Sequence, residues 1–247
     1  MYDKAIKINP NDLDLWVNGV ICLISDKKYD EALNFLEEGN KLFSENMDLL
    51  WLKVEIYERS NKIEKVFELS EYFLSQNHYN QKIAIQLKAH GFFLLEKYND
   101  AIKYYKQLVL LDKFNISAFY GLYISNLNLN NIDEAKKSLD TMIKIDADNP
   151  EFYFYYANLL KNNSEYINAN KYYDKAISIN EDFRYYYSKG EALEMLNNKK
   201  DAIDSYQKGL QLILELLDRI YFDEISFKKI NEKVNLFLEK LNLLIEQ

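Results

Sequence analysis

Apolar residues along this chain recur every three or four positions, and short polar clusters interrupt them. That period is helical rather than the alternate-residue period of a strand. A longer period lies on top of it. Ala32, Val66, Ala101, Ala135, Ala169 and Ala202 occupy matching contexts, at spacings of 34, 35, 34, 34 and 33 residues. Seven residues later runs a second column: Gly39, Phe73, Leu108, Met142, Ala176 and Gly209. Sixteen residues before the first column stand Trp16, Leu50, Ile85, Phe119, Tyr153 and Tyr186, and seven beyond these Leu23, Tyr57, Phe92, Asn126, Leu160 and Leu193. Each unit therefore predicts two amphipathic helices. The first carries the Trp16-type and Leu23-type positions. The second begins near the small residue and carries Leu36, Tyr105, Leu139, Tyr173 and Tyr206. Turns are predicted at 25–28, 128–131, 161–164 and 197–200, where Asn, Asp and Ser suit tight backbone. The aligned alanine is expected where the two helices of a hairpin cross, since a larger side chain would push them apart.

A period of about 34 residues with this pairing resembles the tetratricopeptide repeat, a helix–turn–helix unit. The best matching units are 13–46, 82–115, 116–149, 150–182 and 183–216. The unit 47–81 is degenerate, with Lys53-Val54 and Val66-Phe67 replacing the usual small residues. The Leu-Gly pair of the family keeps its glycine in register only at Gly190, and its terminal proline position is filled only by Pro10. The resemblance implies an all-α fold: a right-handed superhelical α-solenoid of stacked helix–turn–helix repeats. The expected organisation is a partial repeat at 1–10 (second helix only), six repeats over 11–222 and a C-terminal capping helix over 223–247.

Each unit is expected to contact only its neighbours, so the terminal faces need covering. The chain begins inside a repeat, as a fragment of a longer array or a short natural cap would. At the other end Leu210–Phe222 extends the last helix and Asp223-Glu224 breaks it. Ile230, Val234, Phe237, Leu238, Leu241, Leu244 and Ile245 then form one apolar stripe, opposite Lys228, Lys229, Glu232, Lys233, Glu239 and Lys240. That helix reads as a cap, with a homodimer contact as the alternative.

Composition narrows the class. Six Gly and two Pro are too few for an all-β chain with many tight turns. One Cys and two His leave no material for a disulfide framework or a Cys- or His-rich metal site. A net charge of −8 argues against nucleic acid, whose binding rests on Lys and Arg. There is no run of 18 uncharged apolar residues and no secretory leader at the start. A cytoplasmic location is the expectation, although a leader removed before residue 1 or a longer parent chain leaves the same pattern.

The resemblance places the first helices on a concave groove that holds a peptide or extended partner segment. One face of those helices reads Val17, Trp51, Gln86, Tyr120, Phe154 and Tyr187. The next position reads Ile21, Glu55, His90, Ile124, Asn158 and Glu191, and the third Ile24, Glu58, Phe93, Leu127, Lys161 and Glu194. Aromatics combine large contact area with low entropic cost. Trp51, Glu55, His90, Phe93, Tyr120, Ile124, Phe154, Asn158, Tyr187 and Glu191 are therefore the candidate peptide-binding residues, with Asn158 and Asn162 placed to bond a partner backbone. The competing reading is that these aromatics pack against the next repeat. The carboxylate clamp of one family subtype is absent: Phe154 fills its Lys position and Arg184 stands isolated.

No catalytic, cofactor-binding or metal-ligating residue is assigned. Glu55 and His90 form an acid–base pair only on generous geometry. His78 is expected in an exposed loop, and Cys22 reads as an ordinary buried thiol. No phosphate loop, zinc helix or nucleophile elbow is present. The expected function is a non-enzymatic scaffold binding a peptide or helical segment of a partner protein. Self-association through the C-terminal helix, or sensing of a signalling peptide, are the alternatives.

Overall fold

The computed structural model describes residues 6–44, 46–76, 81–219 and 224–245. The expected helix at residues 2–8 is described only from Ile6, and His78 and Asp223 lie outside these ranges, as do the side chains of Lys228, Lys229 and Ile245. All regular structure among the described residues is helical. The chain divides into two units, Met1–Lys113 and Phe114–Gln247. The first holds α1 (Leu13–Ser25), α2 (Tyr29–Leu42), α3 (Met47–Arg59), α4 (Glu64–Gln76), α5 (Gln81–Leu94) and α6 (Tyr98–Leu111). The second holds α7 (Ile116–Asn128), α8 (Ile132–Ile145), α9 (Pro150–Asn162), α10 (Tyr166–Ile179), α11 (Phe183–Met195), α12 (Lys199–Arg219) and α13 (Glu224–Ile245). Within each unit successive helices pack antiparallel and hairpins stack, the all-α solenoid arrangement that the period predicts.

The same local chemistry builds every hairpin. Five first helices open on an Asn or Asp whose side chain accepts a backbone N–H: Asp12, Asn46, Asn115, Asn149 and Asp182. Such caps satisfy a donor the helix cannot, and are worth about 1 kcal/mol each. Each first helix closes on a residue at positive φ: Lys27, Asn61, Glu96, Asn130, Ser164 and Asn197. The next N–H reaches back five residues, as from Lys28 to the Leu23 carbonyl at 2.9 Å and from Lys97 to that of Phe92 at 2.9 Å. This is the Schellman closure. The Leu23-type column thus supplies the accepting carbonyl and, at every position but Asn126, a largely apolar side chain. Left-handed backbone suits Asn better than Lys, Glu or Ser. Glu96→Gly is expected to raise stability by about 0.5–1 kcal/mol, read as a higher denaturant midpoint. A lower midpoint would show that Glu96 contributes more through its side chain than its backbone costs.

Between helices the small column works as expected. Ala32, Ala101, Ala135, Ala169 and Ala202 are completely buried, as are Leu36, Leu139, Tyr173 and Tyr206 one turn on. The degenerate hairpin differs. Val54 and Val66 are buried at the crossing, and Ser70 takes the place of the large residue, its Oγ donating to the Ala84 carbonyl at 2.9 Å. Accordingly α3 and α4 approach each other far less closely than the helices of the other hairpins, and α4 packs mainly on α5. At the other end, Gly190 and Gly209 leave room for rings. A Cβ would lie 2.5 Å from Tyr206 Cε1 at the first position and 2.6 Å from Phe237 Cε1 at the second. Phe237, Leu241 and Leu244 of α13 are buried against α11 and α12, while Leu238 remains 43% exposed. Cys22 is exposed on α1 rather than buried. It stands among helix positions that face away from the core residues Val20 and Ile24.

Candidate functional site

In the first unit, Trp51, Glu55 and Glu58 lie at i, i+4 and i+7 of α3, so they form one stripe. The α5 residues His90 and Phe93 face it. The stripe and His90, with Val54 and Arg59, line a hollow of about 500 Å3. Trp51 meets His90 edge-on, with ring centroids 6.1 Å apart, and Phe93 stacks with His90 at 6.4 Å. Four candidate residues, Trp51, Glu55, His90 and Phe93, are thus brought together across two successive first helices. Arg59 was missed by sequence reasoning. The signal for it was the Glu55-to-Arg59 spacing, the favourable i,i+4 order for an ion pair.

The anticipated Glu55–His90 pair is not formed. Glu55 Oε1 accepts from Arg59 Nε at 2.7 Å, one turn along its own helix. The carboxylate facing His90 is Glu58, 3.8 Å from Nε2. Burial pushes the His90 pKa below its ordinary 6.5, and Glu58 only partly opposes this. The unfolded chain therefore binds more protons than the folded one just below pH 6.5, and stability falls as pH falls through that window. Trp51 and Phe93 add no charge. His90→Gln is expected to flatten the decline in melting temperature between pH 7.5 and 5.5. Superimposable wild-type and variant profiles would show that His90 has no such linkage.

In the second unit most candidates are engaged within the chain. Tyr120 leans on Tyr155, with centroids 5.5 Å apart, yet stays 40% exposed. Phe154 packs on Tyr185 of the next first helix at 4.8 Å. Tyr187 packs on Phe237 of α13 at 5.1 Å, and burial raises its pKa to about 12. Ile124 borders the main core cluster. Asn158 Oδ1 accepts from the Tyr173 hydroxyl at 2.7 Å, and Glu191 pairs with Lys161 at 2.6 Å. Arg184 is not isolated in space: it pairs with Glu151 at 2.5 Å and Asp182 at 2.7 Å, and lies over Phe154 and Tyr185. Tyr123 and Tyr155, which stack at 6.0 Å, lie outside the set of positions the repeat period singles out. A second hollow of about 360 Å3 lies among Asn170, Asp174, Lys189, Asp201 and Asp204, with Lys189 bound to Asp174 at 2.6 Å. Among the described residues, no group of three or more His, Cys, Asp and Glu is placed to hold a metal ion. No helix there is long and apolar enough to cross a membrane.

The tetratricopeptide repeat family matches residues 183–215, which open with α11 and run into α12. A curated tetratricopeptide repeat-containing protein of Methanocaldococcus jannaschii is 25% identical over 272 residues, covering 86% of this chain and 47% of its own length. The chain therefore spans about half of that relative. A solved tetratricopeptide repeat protein of Parabacteroides merdae is 17% identical with a TM-score of 0.59, covering 96% of this chain and 90% of that one. The Cut9–Hcn1 hetero-tetramer structure is 16% identical with a TM-score of 0.60, covering 98% of this chain and 46% of that one. The two structural likenesses bear on the fold alone. With the period, the repeated Schellman turns, the buried small column and the family match over 183–215 in agreement, the chain carries repeats of the tetratricopeptide type.

Proposed function

We propose that this chain is a non-enzymatic protein–protein interaction scaffold that holds a peptide or helical segment of a partner on the first-helix faces of its repeats. Tetratricopeptide repeat folds serve generally as such scaffolds, and proteins of the family are typically not enzymes. The observation that supports the peptide-binding reading is the hollow bounded by Trp51, Glu55, Glu58 and His90. It joins successive first helices, is walled by rings and acidic groups, and is large enough for more than one side chain. In the second unit, taken by itself, Tyr120, Ile124, Phe154, Asn158, Tyr187 and Glu191 would be the partner-facing residues. The exposed ring of Tyr120 is the most available of them. A cytoplasmic setting and a protein partner complete the reading.

Immobilised protein challenged with a degenerate hexapeptide mixture tests it. Trp51→Ala is expected to lower retention about tenfold, the scale of an interface hot spot, with little change in melting temperature. Unchanged retention with a lowered melting temperature would show that Trp51 serves only to pack one repeat on the next.

A further inference from the structure

The hollow of the first unit has an uneven balance of charge. Glu55 is engaged by Arg59 at 2.7 Å in the last turn of α3. Glu58, with its side chain 46% exposed, faces the His90 imidazole at 3.8 Å. Burial keeps that imidazole uncharged at neutral pH, so it does not offset the carboxylate. The remaining walls are the rings of Trp51 and His90, and Val54 is buried at the floor. An aromatic face beside a carboxylate, in a partly desolvated hollow, is the arrangement that attracts a planar cation. A guanidinium stacks on the ring and bonds the carboxylate through two parallel N–H groups, which an ammonium cannot do. The charge of −8 on the chain also draws cationic segments toward it.

We infer that this hollow takes the guanidinium group of an arginine in the partner segment, laid over Trp51 and hydrogen-bonded to Glu58. The inference rests on the peptide-binding reading above and specifies its partner. The probes are three mixtures of acetylated, amidated hexapeptides, degenerate except for one central position fixed as Arg, Lys or Gln. The full chain is immobilised and retention of each mixture is measured. The Arg mixture is expected to be held about tenfold better than the Gln mixture and about threefold better than the Lys mixture. Glu58→Gln is expected to remove the Arg preference while its melting temperature stays at the wild-type value, since the group is half exposed. Equal retention of Arg and Gln mixtures overturns the inference but leaves peptide binding standing. So does an Arg preference that survives in Glu58→Gln. Equal retention of Lys and Arg overturns the guanidinium assignment. Retention of no mixture overturns the peptide-binding reading itself, and this inference with it.

Discussion

Replacing Trp16 with alanine is expected to cost the first unit about 3–5 kcal/mol, the range for deleting a large buried ring. Trp16 is 7% exposed, and its ring centroid stands 5.0 Å from that of Phe35. Gly39 makes the close approach from α2: a Cβ there would sit 3.1 Å from Trp16 Cε3. The indole Nε1 donates to the Pro10 carbonyl at 2.9 Å, so the ring also ties down the segment before α1. Gly39 has no side chain to advance into the space. Repeats interact chiefly with their neighbours, so the loss is felt near α1 and α2 first. Denaturant unfolding of Trp16→Ala, followed by Trp51 fluorescence and by helical circular dichroism, is expected to split. The fluorescence transition shifts to lower denaturant, while part of the helical signal remains until the wild-type midpoint. Two coincident and unshifted transitions would show that Trp16 is not the anchor of the first hairpin.

Sequence periodicity carried the hairpins because one physical demand repeats in every unit: a small residue at the crossing and a large one a turn later. Where the demand is unmet, at Val54, Val66 and Ser70, the helices separate as their volumes require. The capping column Asp12, Asn46, Asn115, Asn149 and Asp182 was legible in principle, since each is an Asn or Asp just before an apolar run. Its regularity was hidden because the eye follows apolar positions. The site was legible only as a set of faces. Period places Trp51 and His90 on facing first helices, but it does not say which carboxylate meets the imidazole. Glu55 pairs with Arg59 within its own helix, and Glu58, half exposed, is the carboxylate beside the imidazole. In the second unit the same aromatic column mostly packs repeat on repeat, as at Phe154 and Tyr187, because large rings there reach the next helix.

Phe237→Ala is expected to release the C-terminal helix, again at a cost of about 3–5 kcal/mol. The ring is 1% exposed and inserts between Tyr187, at 5.1 Å and nearly perpendicular, and Tyr206, at 6.3 Å. Its seat exists because position 209 lacks a side chain. Beside it, Lys240 donates to Glu194 at 3.1 Å, and the same carboxylate accepts from the Tyr206 hydroxyl. The ion pair is partly exposed and adds little by itself, so the ring carries most of the hold. Leu241 and Leu244 remain, but without Phe237 they cover only part of the face made by Leu193, Ala202 and Tyr206. Hydrogen exchange resolves the effect by segment. Amides of α13 in the variant are expected to exchange far faster than in the wild type, while those of α9 keep their protection, as befits a locally opening element. Gly209→Ala acts on the same contact by overfilling it and is expected to change exchange in the same direction by a smaller amount. Because both substitutions disturb one seat, the double variant is expected to lose less than the sum of the two. Full additivity, or α13 protection unchanged in Phe237→Ala, would mean that the helix is held by something other than the ring in the glycine notch.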